Sequence, residues 1–160
     1  MDEESAYDSR ADTLMHIQQV RDNIGLFVTE MLARARVHDA SKLQEPEKST
    51  FDRVLPSLAG VAYGSRDHEA IVERHRAVLD LHHQRNSHHP EHYGSDGVAG
   101  MDLFDIIEMV CDWMAAAERR PEDGVRLDYN VALFGIQPQL ASVLANTLAR
   151  WPGHGCATAG

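Results

Sequence analysis

The sequence is short of the features that mark several classes of protein. Only two cysteines occur in 160 residues. Cys111 lies inside an apolar helical pattern and Cys156 in a Gly/Ala tail, so no disulfide framework is expected and a reducing cytoplasm is the natural setting. No apolar run approaches the roughly 20 residues that span a bilayer. The opening MDEESAYDSRAD is acidic and polar, which does not suit a signal peptide. Basic residues are also scarce. Fifteen Lys and Arg stand against 25 Asp and Glu, a formal net charge of −10. Broad, sequence-independent binding to nucleic acid needs a basic footprint and is disfavoured. A small phosphorylated partner is not, because a local cation or a Lys/Arg cluster overrides the global field. Internal repeats, linkers and alternating strands of useful length are absent.

What remains is a globular balance, 43% apolar and 25% charged, in a chain of one-domain length. Apolar residues at Leu14, Ile17, Ile24, Val28, Met31 and Ala35 predict a helix from about Ala11 to Ala35, with Asp12 as its cap. A break and a short helix stopped near Pro56 follow, then a loop, LAGVAYGSRD. A third helix is expected from Asp67 to about Leu81 or His83, with Ile71, His75, Val78 and His82 on one stripe. NSHHPEHYGSDGVAG reads as a long loop, and loops of that length in compact domains are usually functional or disordered. The clearest helix is MDLFDIIEMVCDWMAAAER. Asp102 suits its cap, and Leu103, Ile106, Ile107, Val110, Met114 and Ala117 its buried face. RPEDG ends it, VRLDYNVALFGI holds a short helix, and Pro138 suits the first turn of a last one. There Leu140, Val143, Leu144, Leu148 and Trp151 would face inward. The expectation is an all-α fold of five to six helices, with an N-terminal extension over 1–10, one helical domain over 11–151 and a loose tail over 152–160.

Chemistry concentrates where histidine does. LHHQRNSHHPEHYG carries His82, His83, His88, His89 and His92, half of the ten histidines in the chain. Pro90 and Gly94 make this a shaped turn rather than a low-complexity tract. His38 and Asp39 are adjacent, and His16 lies on the helix before them. Imidazole nitrogen with carboxylate oxygen suits zinc, iron, manganese or cobalt. In the clearest helix Asp105, Glu108 and Asp112 share one face. Like charges at that spacing repel, so a cation or a cluster of histidines and arginines would offset them, unless the face is simply solvated. Cys111 is a small core residue or a ligand. Glu45 and Glu47 either orient neighbouring groups or only open a helix beside Pro46. Trp113 and Tyr93 suit stacking on a base or core packing equally.

The order His, His-Asp, His cluster, helical Asp resembles the HD-domain phosphohydrolase superfamily. The residues that carry the likeness are His16, HDASK at 38 to 42, HHQRNSHHPEH at 82 to 92 and CDWMAA at 111 to 116. A closer likeness covers nearly the whole chain. YDSRADTLMHIQQV, RARVHDASKLQEPE, HHQRNSHHPEHYG, MDLFDIIEMVCDWMAA and ASVLANT look like a family common in tailed phages that has no settled activity, which would set the protein in the host cytoplasm.

The HD resemblance implies that His16, His38, Asp39 and Asp112 hold a divalent ion (Mn, Fe, Zn, Co or Mg). His82 with His88 or His89 would hold a second, bridged by Asp39. Lys42 would face a phosphate. The ion would polarise a phosphoryl oxygen and acidify a water. Lys42 or Arg85 would stabilise added charge, and Glu91 or a histidine would protonate the leaving group. Asn86 and His92 would contact substrate or hold the loop. The activity implied is hydrolysis of a nucleotide or similar small phosphate ester. A di-iron oxygenase and a non-catalytic, metal-stabilised phage binding protein are the alternatives. The oligomeric state is left open, a homodimer included.

Overall fold

The computed structural model of the chain describes residues 7–119 and 124–151. Among these the secondary structure is helical, with seven α-helices, two 3-10 segments and no strand. The all-α expectation holds, with more helices than the five to six expected. The expected tail over 152–160 lies outside the described residues, as do most of the N-terminal extension and of RPEDG. Among the described residues no helix is long and apolar enough to cross a membrane. The chain divides into two compact units, Met1–Val37 and His38–Gly160. The single domain expected over 11–151 runs across that boundary.

The first unit contains α1, Arg10–Val37, with Asp12 in its first turn and Arg34 and Arg36 in its last. These charges complement the helix dipole. Asp12 therefore sits inside the helix rather than capping it. The expected stripe does not become a core: α1 buries none of its residues. Leu14, Ile17, Ile24 and Val28 are each about half exposed.

In the second unit a 3-10 turn, Ala40–Leu43, leads to α2, Glu47–Ser57. The expected third helix is two. Ser65 caps α3, Arg66–Arg74, by accepting the N–H of His68, two residues ahead of the expected cap Asp67. His75 leaves helical geometry at φ −112, ψ 12, and α4, Arg76–Arg85, follows. The supposed loop is a 3-10 segment over Pro90–Gly100, bent at Gly94 and Gly97, where φ is positive. Glycine takes that conformation without a Cβ penalty.

Helix α5, Leu103–Glu118, begins with a reciprocal capping box between Asp102 and Asp105. Its buried face is rotated from the expected one. Asp105, Glu108, Met109, Val110 and Ala117 are buried, whereas Leu103 is 62% exposed and Ile107 43%. Cys111 is exposed, not a core residue. The rotation follows from the acids: Asp105 and Glu108 find buried partners, so the helix turns toward them. Helices α6, Leu127–Leu133, and α7, Pro138–Leu148, complete the unit. Val110, Ala117, Val125, Leu127, Ile136, Leu144 and Leu148 form the core, and Trp113 stacks on Phe134 beside it. Val143 and Trp151, expected inward, are about half exposed.

Candidate metal centre

Four pieces of the second unit meet around Asp39: the turn at residues 38–43, the start of α2, the stretch from α4 to residue 91, and the middle of α5. Asp39 is the only described non-glycine residue with positive φ, 56°. Such strain persists only where surroundings enforce it, and it concentrates at functional sites.

Two buried glutamates set the imidazoles. Glu47, wholly buried, approaches Nδ1 of His82 at 2.9 Å. The same oxygen accepts a hydrogen bond from the Ser41 hydroxyl, and Arg85 donates to the other. Asn86 donates to Ser41 Oγ and to the His82 carbonyl, which fixes the end of α4. Glu108 does the same work from α5. Its Oε1 lies 2.9 Å from Nδ1 of His38 and 3.3 Å from Nδ1 of His88. A carboxylate accepts only, so Nδ1 of His38 and of His82 carries the proton and donates, while Nδ1 of His88 faces the same carboxylate as His38. In a neutral ring the lone pair is then left on Nε2.

All three Nε2 atoms turn toward Asp39. His82 Nε2 is 3.2 Å from Oδ1, His88 Nε2 3.6 Å from Oδ1, and His38 Nε2 3.5 Å from Oδ2. His38 Nε2 also lies 3.6 Å from Asp112 Oδ1. Most of these separations are long for hydrogen bonds. They match the spacing of two ligand atoms on one ion, about 3.3–3.6 Å when each sits 2.0–2.2 Å from it. Asp39 Oδ1 and His88 Nε2 are buried and make no hydrogen bond. Unmet buried polar atoms are costly, and a cation between them would satisfy both.

Charge in the cluster follows the same geometry. Asp112, then Glu108 and Asp39, outweigh burial and push His38 up to about 9. Burial works against ionising Asp39, but the His82 ring and the Lys42 ammonium, 2.6 Å from Oδ2, hold its carboxyl well below the usual range. Burial and then the neighbouring His88 push His89 down to about 2, so this ring is neutral. Burial also lowers His83, and burial with the charge of His38 lowers His88. Four sets of side chains have ligand atoms close enough to share an ion. They are Asp39, His82, His88 and His89; His38, His88 and Glu108; His38, Asp39 and Asp112; and His83, His89 and Glu91.

A family of unknown function, DUF5662, matches residues 5–150. The chain belongs to that family. No curated protein matches it, and no solved structure does either.

Of the sequence-expected ligands in this DUF5662 chain, His38, Asp39, His82, His88, His89 and Asp112 come together. His16 lies on α1, in the first unit, and the candidate ion groups found among the described residues are drawn from the second. Lys42 stands beside Asp39. Arg85 and Asn86, expected at substrate, hydrogen-bond Glu47 and the His82 carbonyl at the end of α4. His92 is exposed and donates from Nδ1 to the His83 carbonyl, holding the loop, and Glu91 is exposed nearby. Tyr93, offered as a base-stacking group, donates to Asp105. Asp105 itself caps α5 and takes the Ser87 hydroxyl, so it is no ligand.

Glu108 was visible in the sequence only as part of an acidic stripe, and Glu47 only as a residue open to two readings. His83 had no assigned role. The only sequence signal for Glu108 is its place four residues before Asp112, on the same face.

Proposed function

We propose that this protein is a metal-dependent hydrolase of a nucleotide or similar small phosphate ester, built on an HD-domain type of site. The observation that carries the reading is the convergence of three carboxylate-anchored imidazoles on Asp39 at the spacing of ligands around an ion. Histidines whose far nitrogen is held by a carboxylate are the usual form of a metal-binding imidazole.

His38, Asp39 and Asp112 would hold one ion, and Asp39, His82, His88 and His89 another, with one oxygen of Asp39 toward each group. Such an ion supplies Lewis acidity toward a phosphoryl oxygen and lowers the pKa of water from 15.7 toward about 7. The protein's own groups do the rest. Glu47 and Glu108 fix ring tautomers before any substrate arrives. Lys42, about one-third exposed, lies at the edge of the cluster and would take charge that develops on phosphate oxygens. A histidine at the edge of the cluster would pass a proton to a leaving group.

Chelator-stripped protein reloaded with Mn, Co, Fe or Zn should release phosphate or pyrophosphate from members of a nucleotide and phosphate-ester panel. His38→Ala should abolish that release. A panel blank with every metal would reject the reading. Oxygen uptake by the iron-loaded protein would put an oxygenase in its place.

A further inference from the structure

The stretch 81–94 contains two histidine doublets, and the proposed hydrolase uses His82 of the first and both rings of the second. His82 and His88 are the inner members, each 2% exposed. Neighbouring residues on a helix point about 100° apart, so His83 leaves α4 in a different direction from His82. His89 follows the buried His88 in the turn before Pro90, with its Nε2 3.0 Å from Nε2 of His82. The outer rings meet each other, with centroids 4.8 Å apart. Glu91 joins them two residues later, and the three offer ligand atoms within 4.8 Å of one another. His92 Nδ1 donates to the His83 carbonyl at 3.0 Å and so ties the end of α4 to this turn. Among the described residues the side chains of His83 and Glu91 take part in no hydrogen bond or ion pair, although His83 is half-buried.

We propose that His83, His89 and Glu91 form a separate, solvent-open site for a transition-metal dication. Two imidazoles with one carboxylate select a borderline ion such as Zn, Co, Ni or Fe over Mg or Ca. Three protein ligands, one of them exposed, leave positions for water or an exchangeable ligand, as in open rather than structural sites. His89 is within reach of both sets; a neutral imidazole has one lone pair, so it serves one ion at a time, and with an ion on the outer set the inner ones keep His38, Asp39, His82, His88 and Asp112. The doubled histidines thus build two layers of ligands from one turn. The outer layer does not depend on the inner centre being a hydrolase, and its ion lies outside the set that activates substrate there.

The test is a cobalt titration of the chelator-stripped full chain, read by calorimetry and by bound cobalt per chain. Wild type is compared with His83→Ala, Glu91→Gln and His38→Ala. Glu91 is exposed, so its substitution leaves folding alone should His83→Ala prove unstable. The expected result is loss of one bound ion, or at least tenfold weaker binding, in His83→Ala and Glu91→Gln, with the ion sensitive to His38→Ala retained. Two results overturn the proposal. One is that His83→Ala and Glu91→Gln bind as much cobalt as wild type at micromolar concentration. The other is that the additional ion appears only at millimolar cobalt, an adventitious ion only. An ion lost in Glu91→Gln with none lost in His38→Ala would keep the outer site and remove the inner one.

Discussion

Glu108→Ala tests the cluster most directly. One oxygen of Glu108 accepts from His38 Nδ1 and lies 3.3 Å from His88 Nδ1, so removing it takes the facing carboxylate from two Nδ1 atoms. A buried donor left unsatisfied costs about 1–3 kcal/mol. His88 is 2% exposed and pays this in full, whereas the His38 side chain is 27% exposed and water relieves part of it. The metal-free protein should therefore lose about 2–4 kcal/mol of stability in urea unfolding. Metal affinity should fall a further 10- to 100-fold, the usual cost of losing a group that orients a ligand. Glu108→Gln keeps an oxygen acceptor and loses only the charge. Its stability loss should be about 2 kcal/mol or less, because hydrogen bonds to charged groups exceed neutral ones by about 1 kcal/mol each. Its affinity should lie between wild type and Ala. Urea unfolding without metal and calorimetric titration with zinc or manganese measure the two quantities separately. Unchanged affinity and stability in Glu108→Ala would refute the reasoning, because the rings would then be held by something else.

The raised value of His38 gives a pH dependence with a definite sign. A folded value of about 9 against roughly 6.5 unfolded means its stabilising contribution is full below about pH 6.5 and is lost as pH climbs through 9. Metal-free protein should thus lose stability across that window, and His38→Gln should flatten the loss. The same proton competes with the ion, so apparent affinity should rise by up to about tenfold per pH unit below 9 in a titration series. Lys42→Met removes the ammonium beside Asp39, so it should leave metal affinity equal or tighter while lowering turnover at least tenfold; a loss of metal with turnover would assign Lys42 to the site's architecture instead. Leu148, fully buried, should cost about 2–5 kcal/mol as Ala in urea unfolding with no change in metal affinity.

The sequence by itself determined the helical class, because a 3.6-residue period is a local property that any window of chain displays. The boundaries of α1, the Asp102 cap of α5 and Pro138 at the start of α7 follow from such local chemistry. It also determined which side chains carry imidazole and carboxylate, so His38, Asp39, His82, His88, His89 and Asp112 were legible as a set. Only the tertiary structure decided how they are used. The pairings that orient the rings join residues 70 apart, His38 with Glu108, and 35 apart, His82 with Glu47. No local pattern encodes such distances. Glu108 with His38, and Asp105 with Ser87 and Tyr93, turned α5 so that two acids went inward and Leu103 and Ile107 outward. Arg85 and Asn86 brace Glu47 and the end of α4. In each histidine doublet the chain offers two chemically identical rings. In the first, burial against Glu47 chose His82 and left His83, the next residue of α4, to the neighbouring cluster; in the second, both His88 and His89 stay within reach of Asp39 and His82.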